Sequence, residues 1–437
     1  MEVFLVKALQ LVLALSILVI VHEFGHFIFA RIFKVRVEKF YLFFNPWFSL
    51  FKFKPKNSDT EYGVGWLPLG GYVKIAGMID ESMDKEQMAQ PAKSWEFRSK
   101  PAFARLMIMI GGVLFNFLLA MIIYAAIAFH WGDTYLPLKN VKAGMEFSQV
   151  GLDAGFKNGD ILLAADGVPM ETLDIQRIGE AKTVTVLRNG TETVLEMPDN
   201  LMQQIIAANT WFTKEIEPIV IQNVIADKYA AQAGLQANDS IVSIAAVSPH
   251  SFTDVTKILA EHKDQTVDFV FYRNKEEMTL PVKISEAGTI GVQFKNIAQL
   301  YELVDKKYTF FESIPVGISK GVNRLTGYVT SLKYMFTKEG AQSVGGFVAI
   351  GNIFPSVWNW RVFWEWTAFL SIMLGFMNIL PIPALDGGHV LFLLYEVITR
   401  RKPNEKFMEY AQLTGMALLF GLLIFANGND LFKVFFK

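Results

Sequence analysis

The sequence contains no cysteine. This absence excludes disulfide bonds and every metal site built from thiolates, so a metal in this chain must be held by His, Asp or Glu. Charge is also scarce, since 19% of the residues are Asp, Glu, Lys or Arg and the formal net charge is −1. The overall charge therefore says little about partners, and we expect no nucleic acid among them.

Four long stretches that are almost free of charge hold many of the hydrophobic residues, which make up 52% of the chain. A helix needs about 20 apolar residues to cross a bilayer, and each stretch is long enough. We therefore predict a polytopic α-helical membrane protein with four transmembrane helices. The first has no small-residue cleavage site before its polar groups, so we expect it to be retained. The predicted spans lie within residues 1–35, 104–131, 363–398 and 409–430.

Basic residues cluster beside these spans. They follow the first span, precede the second and fill the gap between the third and fourth, as Arg31, Arg105 and Arg401 illustrate. The positive-inside rule assigns these ends to the cytoplasm. Both termini, and the segment between the second and third spans, are then expected on the extracytoplasmic side of a multi-pass protein.

An internal repeat divides that extracytoplasmic segment. The stretch AGFKNGDILLAADGVPM, which begins at Ala154, aligns with AGLQANDSIVSIAAVSPHS, which begins at Ala233. Alternating strands follow each copy, and the turn at Arg188-Asn189-Gly190 is typical of a β-hairpin. We predict two small β-rich domains, over 141–199 and 216–285, and their motif resembles PDZ domains. Such domains bind peptides by adding a strand to a sheet edge; spacers or steric gates without a ligand are the alternative.

Two further segments have a distinctive pattern. Residues 36–103 form a cytoplasmic segment that includes the stretch 62–78, which alternates like a strand. We predict a β-hairpin there that dips into the membrane and offers a strand edge to an extended peptide, because exposed in water it would aggregate; a packed cytoplasmic hairpin is the alternative. Residues 313–340 predict an amphipathic helix at the outer membrane surface, or one packed on the second β-rich domain.

The first span carries groups that are costly to bury in lipid. His22, Glu23 and His26 form an H-E-x-x-H motif. On a helix the two histidines share one face, one turn apart, and can bind one Zn²⁺ with the glutamate beside them. Ionisable groups within a span are usually functional; two core histidines bonded to neighbouring helices are the alternative.

A third ligand must come from another segment, since two histidines do not complete a zinc site. The stretch NILPIPALDGGHVL, which begins at Asn378, offers Asp386 after two prolines that interrupt the helix. The depth of Asp386 below the basic flank matches that of the histidines. His389 is a competing ligand, and a carboxylate that only caps the following helix is the alternative for Asp386.

In combination, the H-E-F-G-H motif, the later N-x-x-P-x-P-x-L-D-G-G motif and the PDZ-like repeats resemble the site-2 protease family of intramembrane zinc metalloproteases, in the order of its RseP-like bacterial branch. The resemblance implies a bacterial inner-membrane enzyme that binds one Zn²⁺ per chain through His22, His26 and Asp386. Glu23 is then the catalytic acid and base, and Asn378 contacts the substrate backbone or the developing oxyanion. Two further stretches, GGVLFN and PLGGYVK, supply the other expected substrate-binding residues, which are Asn116, Gly70 and Gly71.

The resemblance also implies partners. We expect cleavage of single-pass membrane proteins near their cytoplasmic ends, such as anti-sigma factors trimmed beforehand by an upstream site-1-type protease, and remnant signal peptides. One departure from the family pattern is Phe347, where a proline is common, and it leaves the substrate preference open.

Two other functions could use the same residues. A non-enzymatic PDZ scaffold would have a structural zinc site closed by His389. A transporter would line a path across the bilayer with polar residues, and the second and fourth spans offer almost none beyond Asn116.

Overall fold

A computed structural model describes residues 2–68, 70–78, 90–208, 210–249, 251–335, 347–401 and 403–436. Some positions within the predicted segments lie outside the described residues, namely Met1, Leu69, residues 79–89, His250 and residues 336–340. The chain forms two compact units, one made of Met1–Gly132 with Lys307–Lys437 and the other of Asp133–Lys306.

The first unit begins with a long apolar helix, a group of strands and a second long helix. These elements are α1 (Glu2–Ile32), β1 (Val37–Leu42), β2 (Phe44–Phe53), β3 (Glu61–Leu67), β4 (Tyr72–Ile75) and α2 (Ala102–Trp131). The two helices cross closely, because a Cβ on Gly25 would lie 2.3 Å from the backbone oxygen of Gly111. Only residues without a side chain allow the two backbones to approach this far.

The strands of this unit form one sheet in the order β2-β3-β1-β4. β1 pairs in parallel with β3 and antiparallel with β4, so β3 and β4 lie on opposite sides of it. The predicted hairpin over 62–78 is therefore wrong: its residues supply two strands that do not pair with each other. An alternating pattern identifies strands but not their partners, and the buried residues Val37 and Tyr41 place β1 in the middle. β4 ends the sheet, so a strand edge lies where one was expected.

The second unit, Asp133–Lys306, consists of short strands and helices. Its first part contains β5 (Asp133–Tyr135), β6 (Met145–Phe147), α3 (Gln149–Asp153), β7 (Ile161–Ala165), β8 (Val168–Pro169), α4 (Ile175–Glu180), β9 (Thr183–Arg188), β10 (Thr191–Glu196), α5 (Leu201–Ala208) and β11 (Thr213–Glu215). Its second part contains β12 (Ile219–Val224), α6 (Tyr229–Ala233), β13 (Ser240–Ile244), α7 (Phe252–Glu261), β14 (Thr266–Arg273), β15 (Glu276–Lys283), β16 (Val292–Phe294), α8 (Ile297–Leu300) and β17 (Val304–Lys306). The sheets have the orders β10-β9-β7-β8, β11-β6, β15-β14-β13-β12-β16 and β17-β5.

This unit contains two hydrophobic cores, one from residues within 138–212 together with Tyr301 and the other from residues within 219–290, and the predicted bounds of the two β-rich domains stay a prediction. Each part contains an equivalent ion pair between a partly exposed arginine and a buried aspartate: Arg188 binds Asp160 through Nε and Nη2 at 2.8 and 2.6 Å, and Arg273 binds Asp239 at 2.7 and 2.6 Å. The predicted turn is also present, since Asn189 and its following glycine both have positive φ, as a two-residue hairpin requires. The repeat is therefore structural, and its identity as a pair of PDZ domains remains a prediction.

The rest of the first unit is helical. Its helices are α9 (Phe310–Met335), α10 (Phe347–Asn352), α11 (Trp360–Ile379), α12 (Asp386–Thr399) and α13 (Glu405–Phe436). Four helices of the described chain are long and apolar enough to cross a membrane, which agrees with the predicted number of spans, although the third ends at Ile379 and not at 398. These are Glu2–Ile32, Ala102–Trp131, Trp360–Ile379 and Lys406–Gly428.

α9 covers most of the predicted amphipathic helix and packs along the second span. A Cβ on Gly317 would lie 2.5 Å from the backbone nitrogen of Ala125, and the rings of Phe310 and Phe129 are in edge contact. α9 therefore runs antiparallel to α2 with its small residues against it. A helix that runs along a span does not lie in the plane of the membrane surface, so this packing does not fit the predicted placement at the outer membrane surface.

Candidate metal centre and active site

The two histidines of the first span lie one turn apart on α1 and point the same way. Both are buried, and their Nε2 atoms are 3.2 Å apart. This is the outcome expected of positions i and i+4 on a helix, where side chains stack on one face.

Asp386 reaches the same point from the opposite end of the chain. Its Oδ2 lies 3.1 Å from Nε2 of His22 and 3.3 Å from Nε2 of His26. The prolines bring this about, because α11 ends at Ile379, before Pro381, and the chain restarts as α12 at Asp386. The structure thus brings together the three ligands that the sequence predicted.

The donor set fits a zinc ion. The three atoms are two imidazole nitrogens and a carboxylate oxygen, a combination that zinc enzymes use while keeping one position open. Bonds of about 2.0–2.1 Å to a tetrahedral ion separate its donors by roughly 3.3–3.4 Å, and the observed separations are 3.1, 3.2 and 3.3 Å. Oδ2 of Asp386 is buried and has no hydrogen-bond donor, which leaves it available to a cation.

The second span, α2, packs directly against the two histidines. A Cβ on Gly112 would lie 2.5 Å from Nε2 of His26 and 2.7 Å from Cε1 of His22. The backbone oxygen of Ile108 accepts a hydrogen bond from the Nδ1–H of His26 at 2.9 Å, which leaves the lone pair of Nε2 available to a metal. Gly112 is the second glycine of the GGVLFN stretch that the sequence singled out together with Asn116, whereas Ile108, which has no motif around it, was not predicted.

Two predicted asparagines also lie at the centre. Nδ2 of Asn116 lies 3.2 Å from Nδ1 of His22, and Nδ2 of Asn378 lies 3.4 Å from Nε2 of the same ring. Asn116 is fully buried, and its backbone oxygen accepts a hydrogen bond from Ser371 at 2.7 Å. Ser371, which has no motif around it, was not predicted.

Glu23 lies between the metal ligands and the sheet. It follows His22 on α1 and is half-buried, and its carboxylate lies beside the backbone N–H of Val73 in β4. Gly71 allows this approach, because a Cβ there would lie 2.6 Å from the backbone oxygen of Tyr41 and 2.8 Å from a methyl of Val19. Gly70, at φ 150°, packs against Phe44. Gly71 thus lets β4 approach the helix that carries Glu23, whereas Gly70 contacts the ring of Phe44 in β2.

His389 does not join the metal ligands. Its Nε2 is 2.8 Å from Nε2 of Gln412 on α13, whereas the metal-binding group found in the described part of the chain consists of His22, His26 and Asp386. A site closed by His389, as the scaffold hypothesis required, therefore has no support in this geometry.

Comparison with known proteins places the centre in a family. The sequence matches Peptidase family M50 over residues 10–422. The chain belongs to this family of peptidases. A Vibrio cholerae protein named "Putative zinc metalloprotease" is 29% identical, with 96% of this chain and 97% of that protein aligned. The Caulobacter vibrioides "Metalloprotease MmpA" is 27% identical over 98% and 96% of the two chains, and the Haemophilus influenzae "Regulator of sigma E protease" is 28% identical over 97% and 98%.

The family match confirms two predictions from the sequence. One is membership of the site-2 protease family, and the other is the activity class, a membrane metalloprotease. The roles of the individual site residues remain predictions that the geometry supports.

Proposed function

We propose that this M50 peptidase is an intramembrane zinc protease that holds one zinc ion per chain and cleaves transmembrane segments of single-pass membrane proteins. The observation that carries the proposal is the meeting of His22, His26 and Asp386, whose donor atoms lie within 3.3 Å of one another. One of the candidate spans bears both histidines. The name of the Vibrio cholerae relative supports zinc as the metal.

Each residue of the centre has a role that its position supports. The three ligands hold the zinc, which when bound acts as a Lewis acid towards water and the peptide carbonyl. Glu23 takes a proton from water and returns it to the leaving amine. Asn378 donates its amide N–H to the substrate carbonyl oxygen as negative charge develops there.

β4 is the surface on which we place the substrate. A transmembrane helix hides its peptide groups in its own hydrogen bonds, so it must unwind before cleavage. β4 ends its sheet, and Val73 in this strand contacts Glu23. A substrate strand added to this edge would be held extended beside the proton-transferring residue.

The wider proposal concerns location and partners. The family favours the bacterial inner membrane, and the basic residues that flank the spans favour an orientation with both termini and Asp133–Lys306 outside and the active site near the cytoplasmic side. The Haemophilus influenzae relative is named for the regulation of sigma E, which favours a link to sigma factors, and we expect substrates of the anti-sigma class that a site-1-type protease trims first. Remnant signal peptides, which are also short single-pass segments, are a second substrate group.

The two β-rich domains, which we regard as PDZ domains, would exclude substrates whose extracytoplasmic domains have not been trimmed. Deletion of residues 141–284 should then permit cleavage of an untrimmed single-pass substrate. If the deleted protein still cleaves trimmed substrates and leaves untrimmed ones intact, the two β-rich domains are not a size filter.

The activity is tested by co-expressing the chain with a candidate single-pass substrate. Wild type should cut it, and Glu23→Gln should retain zinc and lose cleavage, because the ligands are intact and the base is gone. Glu2→Gln makes the same change at the exposed start of the same helix and should cleave normally. Cleavage that persists in Glu23→Gln or after zinc chelation would refute the proposed chemistry.

A further inference from the structure

The proton on the ring of His22 needs a defined position. Its Nε2 faces Oδ2 of Asp386 at 3.1 Å, so a neutral ring that binds zinc through Nε2 must carry its proton on Nδ1. That N–H is buried with the side chain, and a buried donor without an acceptor is costly. The ring can therefore hold this tautomer only if a neighbouring group accepts from Nδ1.

The side chain of Asn116 is the group placed to accept it. One end of the amide lies 3.2 Å from Nδ1 of His22, and the residue is fully buried. With Nδ2 at that end, two donors would face each other while Oδ1 has no hydrogen-bond partner. The two ends of an amide have the same shape, so hydrogen bonding decides its orientation. If the amide is turned so that Oδ1 faces His22, the oxygen accepts a hydrogen bond from Nδ1–H and the two donors no longer face each other.

The other ligand histidine provides a parallel. Nδ1 of His26 donates to the backbone oxygen of Ile108 at 2.9 Å. Ile108 and Asn116 both lie on α2. The second span, which supplies no metal ligand, thus offers one acceptor to each histidine.

We propose that Asn116 is a positioning residue: its Oδ1 accepts the Nδ1–H of His22, which fixes the tautomer and the ring orientation in which Nε2 binds zinc. This inference rests on the proposed zinc site, and it replaces the substrate-binding role expected from the sequence. Partners of this kind typically change metal affinity by 10–100-fold when they are removed.

Zinc affinity of the full-length protein tests the inference, measured by competition with a chromophoric chelator in the Glu23→Gln background. Asn116→Leu removes the acceptor at similar volume and should weaken zinc binding by about 10–100-fold. Asn116→Asp keeps an acceptor oxygen and should bind zinc at least as tightly as Asn. If Asn116 only filled space, the order would be reversed, because a buried carboxylate in a span is costly and leucine is not. Equal affinity in all three proteins, or the reversed order, would overturn the proposal.

Two additional variants keep the test decisive. Asn116→Ala removes the acceptor without adding bulk, so it replaces the leucine variant if that protein does not fold, and it should show the same loss. Ser371→Ala removes the hydrogen bond to the backbone oxygen of Asn116 and leaves the amide in place, so zinc affinity should stay within about twofold. A loss in Ser371→Ala equal to that in Asn116→Ala would assign the effect to helix packing.

The outcome is separable from that of the proposed function, since zinc binding is measured without cleavage. A wild-type protein that binds zinc and cleaves no substrate would refute the protease proposal and leave the role of Asn116 standing.

Discussion

The close approach of α2 to the two histidines makes Gly112 the most informative single position. In Gly112→Ala the new Cβ would lie 2.5 Å from Nε2 of His26 and 2.8 Å from Nε2 of His22, whereas ordinary contact begins at 3.4 Å. A ligand nitrogen must therefore move by about 0.9 Å, or the two helices must separate by a similar distance. Zinc–nitrogen bonds tolerate changes of about 0.2 Å, so the methyl group cannot be accommodated with the site intact.

We expect Gly112→Ala to lower both zinc affinity and the cleavage rate on the order of 100-fold, since a misplacement of about 1 Å costs this much in an active site. Such a loss corresponds to about 2.7 kcal/mol. The measurements are chelator competition for zinc and the rate of substrate cleavage. Each is made on protein that is folded and monodisperse in detergent.

Gly421→Ala is the matched control. It makes the same change in the fourth candidate span, at a glycine whose Cβ would meet no atom within 4 Å, and it should leave both quantities unchanged. If Gly112→Ala binds zinc and cleaves as well as Gly421→Ala, the packing that we describe around the histidines is incorrect.

Three further predictions concern other parts of the chain. Gly415→Ala, whose Cβ would lie 2.0 Å from the backbone oxygen of Pro383, should displace the loop that carries Asp386 and reduce zinc affinity severalfold or more; unchanged chelator competition would contradict this. Gly71→Ala would bring a Cβ within 2.6 Å of the backbone oxygen of Tyr41, so cleavage should fall while zinc affinity holds, and a parallel loss of zinc would show that β4 supports the metal instead of the substrate. Asp160→Asn removes the charge of a buried aspartate from its ion pair with the partly exposed Arg188 and should destabilise the first β-rich domain by about 1–3 kcal/mol; hydrogen exchange of the full-length protein should show faster exchange in that domain alone, and wild-type protection there would refute the assigned cost.

Some of this architecture follows from local sequence signals. The apolar runs predicted four candidate spans because a membrane helix is specified by composition and length. The spacing of His22 and His26 predicted a shared helix face, and the prolines before Asp386 predicted the break that lets the carboxylate reach them. The hairpin turn at Asn189 was also predictable from local sequence, since an Asn-Gly pair alone favours the positive φ angles that this turn requires.

Other features depend on which elements pack together, and a single sequence does not predict those pairings. The pattern of 62–78 identified two strands, but β1 lies between them, and no single-sequence signal specified that pairing. Gly112 and Ile108 acquire their importance only because α2 crosses α1 at the histidines. Asn116 was recognised from a motif as a neighbour of the site, and its contact with Nδ1 of His22 changes the role assigned to it.

The zinc content of purified protein tests the central claim most directly. Elemental analysis of wild type, Glu23→Gln and Asp386→Ala should give one zinc per chain for the first two proteins and almost none for the third, because the carboxylate completes the set of ligands. A full zinc complement in Asp386→Ala, or its loss in Glu23→Gln, would contradict the assignment of ligand and base.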